Sequence, residues 1–246
     1  MDGAWSRTVS LIGEDGVEKL SSARVILFGV GGVGSYCAEA LARAGVGTIC
    51  LVDPDTVAVS NLNRQLVALH STIGKNKAEV MRERILDINP SARVTAVRLF
   101  YLPENADEIE LSHYDVVIDA VDTVSAKVEL AVRAQAAGIP ILSAMGTGNK
   151  LHPELLELAD LSETEACPLA RVMRRELRAR GITHMRVVYS KEIPIVPNTK
   201  DAKTDSLSAG KRRTPGSISF VPSCAGLLLA SEAVNILLGP TKREKK

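Results

Sequence analysis

The chain has 246 residues, 46% of them apolar and 24% charged, with a net charge of +1. That length and apolar content fit one large α/β domain with an appended C-terminal region, and the near-neutral balance excludes a global basic field for nucleic acid. Four cysteines (Cys37, Cys50, Cys167 and Cys224) without a C-x-x-C pair argue against a disulfide framework and against a zinc site of the usual spacing.

The first residues carry no basic stretch followed by an apolar core, so no secretory signal is read and a cytoplasmic protein is expected. Residues 5–20 read as a helical or turn-rich lead-in, with Arg7 and Glu14 among small residues, that covers one edge of a sheet. Residues 23–28 are an apolar, β-branched run that breaks into Gly29-Val30-Gly31-Gly32-Val33-Gly34 and continues as Ser35 to Ala42. This predicts a buried strand, a tight turn and a helix. Glycines at such a turn let the backbone approach a phosphate, and the unpaired N–H groups and positive dipole end of the helix supply the binding field. The G-x-G-G-x-G pattern alone is shared by nicotinamide and flavin folds, and a purely structural glycine turn is the plainer alternative.

Gly45 to Gly47 closes that helix, and residues 48–53 make a second strand ending on Asp53, where a ribose-binding carboxylate belongs. A dehydrogenase fits equally well to this point. The polar segment that follows separates the two: Asp53-Pro54-Asp55 runs into Asn61, Asn63, Arg64 and Gln65, amide and guanidinium donors such as an exposed triphosphate requires. A surface loop whose Asn and Asp satisfy their own backbone is the alternative. Residues 74–88 open a further helix with Val80, Met81, Ile85 and Ile88 at helical spacing. Lys75 and Lys77 in its first turn run against the dipole preference and invite an anionic partner.

Residues 93–97 and 115–119 are the third and fourth strands, the latter leading through Asp119-Ala120-Val121-Asp122 into a helix over about 125–137. Asp119 and Asp122, three apart at a strand end, can hold a hydrated magnesium over a nucleotide crevice; a helix cap is the alternative for Asp122. Residues 138–144 are a fifth strand, with a glycine-rich turn at 145–149. Residues 154–159 are ambiguous between strand and helix, Cys167-Pro168 begins a basic helix through Arg180 with Arg171, Arg174, Arg175 and Arg178, and 185–189 is a strand. The polar stretch 194–217, with Lys200, Lys203, Lys211, Arg212 and Arg213, reads as a mobile loop that, with the basic helix, gathers positive charge for RNA. Residues 220–238 are apolar, but Pro222, Ser223, Ser231, Glu232 and Asn235 interrupt them, so a packed helix from about Cys224 and no membrane insertion are expected. The basic tail 242–246 reads as frayed.

Taken in order, the glycine turn, Asp53-x-Asp55, Asn61-x-Asn63-Arg64-Gln65, Lys77 and Asp119-x-x-Asp122 resemble the E1-like, or ThiF/MoeB-type, ATP-dependent activating enzymes over residues 1–150. The resemblance implies a Rossmann-like, doubly wound, mostly parallel α/β sheet with a C-terminal strand-loop-helix extension, ATP and Mg2+ as cofactors, and a homodimer. It implies nucleotide contacts from Gly29, Gly31, Gly32, Gly34, Asp53, Asp55, Asn61, Asn63, Arg64, Gln65, Lys77 and Asp122. Among them Asp53 would bind the ribose, Arg64 and Lys77 the phosphates, and Asp122 the magnesium, while Arg7 would reach the triphosphate of the neighbouring subunit. Residues 1–150 would then be the adenylation core and 151–240 the substrate-binding part.

The stretches 167–177, 187–192 and 215–223 resemble the tRNA threonylcarbamoyladenosine dehydratase branch of that family, extending the likeness to nearly the whole chain. This implies ATP-dependent cyclisation of threonylcarbamoyladenosine at position 37 of tRNA through adenylation of the threonyl carboxylate. It leaves a sulfur-transfer partner of the cysteine desulfurase or SufE-like kind as an open association. One alternative is an adenylyltransferase acting on the C-terminus of a ubiquitin-like sulfur carrier, a branch that commonly carries the paired C-x-x-C ligands missing here. Another is a nicotinamide-binding or regulatory Rossmann module. Cys167 and Cys224 each have a thioester reading, against which a small buried hydrophobe is the plainer one.

Overall fold

A computed structural model describes residues 3–196 and 215–240, so most of the loop read over 194–217 and the whole tail 242–246 lie outside the described residues. Seven strands form one sheet: β1 (Arg24–Phe28), β2 (Thr48–Val52), β3 (Arg93–Val97), β4 (Val116–Asp119), β5 (Ile141–Ala144), β6 (Leu156–Asp160) and β7 (Arg186–Ser190). Their order is β3-β2-β1-β4-β5-β7-β6, parallel throughout except for β6, which pairs antiparallel with β7. Six α-helices accompany them: α1 (Ser6–Ser22), α2 (Gly34–Ala44), α3 (Lys77–Ile88), α4 (Val124–Ala136), α5 (Pro168–Arg178) and α6 (Phe220–Leu238).

The uninterrupted apolar strands are explained by burial on both faces. Val25 and Leu27 of β1, Ile49 and Leu51 of β2, and Val116 and Ile118 of β4 share a core with Cys37, Ala38 and Leu41 of α2, Met81 and Ile85 of α3, and Leu229 of α6. Their alternates Ile26, Phe28, Cys50, Val52 and Val117 pack with Ala126, Leu130 and Ala134 of α4. A third cluster joins α4 to Ala170, Met173 and Leu177 of α5 and to Val187 and Tyr189 of β7.

Three expectations change in detail. The lead-in does not cover a sheet edge: α1 packs on α2 and α6, pinned by Trp5 Nε1 donating to Arg43 O (3.1 Å) and Lys19 Nζ to Leu238 O (3.1 Å). The ambiguous stretch 154–159 is mostly the edge strand β6, because Leu158 and Ala159 can cover β7 while Glu157 stays at the rim, accepting from Tyr189 Oη at 2.7 Å. Helix α6 begins at Phe220, ahead of Cys224, since Pro222 in a first turn forfeits no helical hydrogen bond. That helix is long and apolar enough to cross a membrane, but Val221, Ala225, Leu229, Ala230 and Ala233 are buried within this core.

Candidate active site

The order of the sheet reverses between β1 and β4, and the crevice beyond the strand ends at such a point is where open α/β sheets take ligands. A cleft of about 340 Å3 lies there. Its floor is the glycine turn. Gly29 has φ +88°, and a Cβ on it would sit 2.7 Å from Ala120 O; one on Gly34 would sit 1.8 Å from Gly29 O. Only glycine lets the turn fold this tightly between the ends of β2 and β4, where Gly29 N donates to Val52 O and Ala120 N to Phe28 O, both at 2.8 Å. Gly29, Gly31 and Gly32 line the cleft, whereas Gly34 is buried beneath it as the first residue of α2. Among the described residues, the amides of Gly31, Gly32 and Val33 donate to no protein acceptor, which leaves an anion site at the start of α2.

Asp53 follows β2 and is almost wholly buried, with Oδ2 accepting from Val30 N (2.6 Å) and Oδ1 from Asp55 N (2.9 Å). Burial pushes its carboxyl above the usual range, and the two amides oppose that shift. Lys77 is the first residue of α3, behind the cap Asn76, whose Oδ1 accepts from Glu79 N at 3.1 Å. Its ammonium reaches the cleft and pairs with Asp55 Oδ2 at 2.7 Å, with the lysine side chain 7% exposed and the aspartate 63%. The lysine side chain is therefore enclosed by its surroundings and not, as a helix-end position suggests, exposed. Lys75 is exposed and lines no part of the cleft.

In the segment 58–65, Asn61, Arg64 and Gln65 line the cleft and Asn63 does not. Asn61 Oδ1 accepts from Ala58 N at 3.1 Å, so half of this amide serves its own turn. Arg64 lies along Gly32, with Nη1 donating to Ser60 O and Asn63 Oδ1, both at 2.9 Å. Asn63 is a bracket: its Nδ2 donates to Ser217 O at 2.9 Å. Gln65 is buried near Gly31, and its Oε1 has no partner among the described residues, a cost that a bound donor would remove.

The paired-carboxylate expectation needs correction. Asp119 is fully buried, held by Lys127 Nζ (2.9 Å) and Ser143 Oγ (2.6 Å) on one oxygen and by Val121 N (3.2 Å) on the other. It ties β4, α4 and β5 together and shapes the loop that carries Asp122, and it is not free to ligate a metal. Asp122 is exposed on the cleft wall, and it does not cap α4, whose cap residue is Thr123. Among the described residues no group of three or more His, Cys, Asp or Glu is placed to hold a metal. Arg7 is exposed in the first turn of α1 and lines no part of its own chain's cleft.

Several wall residues were not among the expected nucleotide contacts: Leu99, Phe100 and Tyr101 after β3, Thr147 in the turn after β5, Ser217 ahead of α6 and Pro222 in its first turn. An aromatic pair directly after a strand, in a chain with only 3% aromatics, was the one available signal. Tyr101 packs edge-on against Phe28 with centroids 4.9 Å apart, and burial pushes its hydroxyl up to about 12. The cleft thus joins an apolar end suited to a base with a cationic, amide-lined end suited to phosphates. Cys167 sits in the apolar cluster under α5 and Cys224 is half-buried on α6, and neither lines the cleft.

A model of the ThiF family matches residues 5–246. The chain belongs to the ThiF family. Within it, the chain is 43% identical over 239 residues to the tRNA threonylcarbamoyladenosine dehydratase of Bacillus subtilis, covering 95% of this chain and 94% of that one. It is 34% identical to the Escherichia coli enzyme of the same name, over 98% and 97% of the two chains. The solved structure of that E. coli dehydratase in complex with ATP superposes with a TM-score of 0.83 at 33% identity, over 96% of this chain and 93% of the other. Its complex with AMP gives 0.85 at 34%, over 97% and 96%. A relative of another name, the molybdopterin-synthase adenylyltransferase of E. coli, is 37% identical over 133 residues, but these are only 52% of this chain and 51% of that one.

Proposed function

We propose that this protein is an ATP-dependent tRNA threonylcarbamoyladenosine dehydratase, which adenylates the threonyl carboxylate of the modified adenosine and lets a nitrogen of the same nucleoside displace AMP. The observation that carries this reading is the extent of the likeness: it covers 95% of the chain at 43% identity, against 52% for the molybdopterin-synthase adenylyltransferase. Residues 1–150 would be the adenylation core and 151–240 the part that meets the substrate, with β7 joining both in one sheet.

In the first step a carboxylate oxygen attacks the α-phosphorus and the bond to pyrophosphate breaks. Two anions must meet, so positive groups set the rate. The amides of the glycine turn, Lys77 Nζ and the Arg64 guanidinium would bind the phosphates, Asp53 the ribose, and Leu99 to Tyr101 the base. Asp55 holds Lys77 in its aim at the cleft. A magnesium ion needs only one or two carboxylates beside nucleotide phosphates, and Asp122 on the cleft wall is the carboxylate that would hold it. When bound, the ion supplies charge neutralisation for the departing pyrophosphate. Ring closure in the second step is intramolecular and gains its rate from orientation, so no enzyme thiol is required.

Arg7, outside its own chain's cleft, is assigned to the neighbouring subunit's triphosphate in a two-fold dimer. The tRNA would lie on the furrow of α5, lined by Arg171, Arg174, Arg175 and Arg178. Arg174 serves the fold, donating to the Leu161 and Thr164 carbonyls, and Arg175 pairs with Glu176; Arg171 and Arg178 have no acidic partner among the described residues. We take the enzyme to act in the cytoplasm, in keeping with a tRNA substrate, and a sulfur-transfer partner would be an accessory to this chemistry. The test is direct: with ATP, magnesium and threonylcarbamoylated tRNA, the nucleoside mass should fall by one water and AMP should appear. Turnover of ATP with an unaltered nucleoside would refute the assignment.

A further inference from the structure

Asn149 ends the glycine-rich turn after β5 and is one of two non-glycine residues with positive φ among the described residues, at +58°. Asparagine tolerates this left-handed conformation, but the position is uncommon and is kept only where the surroundings enforce it. The enforcement is visible. The next residue, Lys150, is buried with Nζ donating to Ser190 O at 3.3 Å, and Glu192 accepts from the amides of Leu151 and His152 at 2.9 Å each. On this pedestal Asn149 grips two separate passes of the chain. Its carbonyl accepts from Ile195 N at 2.7 Å, its amide donates to Gly216 O at 2.7 Å, and its side-chain Oδ1 accepts from Gly216 N at 2.6 Å.

The grip on Gly216 leads back to the cleft. Ser217, the next residue, lines the cleft and accepts through its carbonyl from Asn63 Nδ2, and Asn63 Oδ1 in turn accepts from Arg64 Nη1. Gly148 lets Pro215 lie flat on the turn, since a Cβ there would come within 2.8 Å of it. A continuous line of hydrogen bonds therefore runs from a rigid turn at the end of β5, across the residues before α6, to the guanidinium that faces the phosphate end.

We infer that Asn149 is a positioning residue, which fixes the Arg64 guanidinium for the nucleotide phosphates through Gly216, Ser217 and Asn63. This rests on the proposed placing of ATP in the cleft. Asn149 touches neither nucleotide nor substrate; it removes the freedom of a long cationic side chain before the ligand arrives, which is the cost that preorganisation avoids. Among the described residues the Arg64 side chain is tied to the fold only through Nη1, which donates to Ser60 O and to this bracket, so the bracket fixes the plane in which Nε and Nη2 are presented.

The experiment uses the full chain and ATP alone, with affinity read by equilibrium binding. Asn149→Gly keeps the left-handed backbone and both main-chain bonds and removes the carboxamide, and with it the Oδ1 bond to Gly216 N. Loss of one such bond should weaken ATP binding about 5- to 10-fold, with thermal unfolding displaced by no more than about 4 °C. In an Arg64→Ala background the same substitution should change ATP affinity by less than about 2-fold, because the residue it positions is gone. Asn63→Ala should likewise absorb the effect. Unchanged affinity in Asn149→Gly, an equal loss with and without Arg64, or a chain that no longer folds would each overturn the inference. Failure of the dehydratase reading is distinguishable: a wild-type chain that binds ATP but leaves threonylcarbamoyl-tRNA unaltered sinks that reading and leaves the cycle interpretable.

Discussion

Lys77→Met separates the charge of this residue from its packing. The side chain is 7% exposed and its methylene stem is covered, so methionine can occupy the same space at the start of α3. The deleted ammonium lies 2.7 Å from a carboxylate that is itself 63% exposed, and Asp55 freed of its partner simply rehydrates. An ion pair with one member so open to solvent is worth about 0–1 kcal/mol, so the melting temperature should change little. Catalysis should not be spared. A preorganised cation aimed at developing phosphate charge contributes about 2–4 kcal/mol, which corresponds to a loss of about 30- to 1,000-fold in kcat/KM at 1.36 kcal/mol per decade. Pyrophosphate release with ATP and threonylcarbamoylated tRNA measures the first quantity and thermal denaturation the second. Turnover within threefold of wild type would remove Lys77 from the phosphate site, and a loss matched by unfolding would make it structural.

Lys127→Met, by contrast, should unfold rather than inactivate. It strands the fully buried Asp119 carboxylate, and breaking one side of such a pair costs about 3–5 kcal/mol, readable in urea denaturation; a change below about 1 kcal/mol would mean that Ser143 and the Val121 amide suffice. Chains carrying Arg7→Ala, mixed and exchanged with chains carrying Asp122→Ala, should regain activity in the heterodimers. If exchange is demonstrated and no activity returns, the site is not shared between subunits. Arg171→Ala with Arg178→Ala should weaken tRNA binding evenly across sequences and lower the salt slope by about 1.5, with ATP affinity unchanged; an unaltered slope would place the RNA elsewhere.

Local patterns were sufficient for much of this protein. The run into Gly29, the acid at the end of β2 and the donors around Arg64 lie within 42 positions of one another, from 24 to 65, and each is a strand end or turn whose chemistry depends on its neighbours in the chain. That is why the turn, the acid and the donors that line one end of the cleft, and the parallel sheet, were legible locally, and why the ordered set carried the resemblance to the family. The same locality explains the errors. Asp119 and Asp122 look equivalent along the chain, and only the sheet brings Lys127 and Ser143 to one of them. Lys77 looks exposed at a helix end until Asp55 and the cleft wall enclose it. The roles of Tyr101, Asn149 and Ser217 could not be read locally, because their placement depends on strand order and on contacts between positions 63 and 217 and between 149 and 216 that no period or spacing encodes. Spacing along the chain therefore specified which groups could bind a nucleotide, and tertiary packing decided which of them remain free to do so, since a buried polar group must first satisfy its own hydrogen bonds.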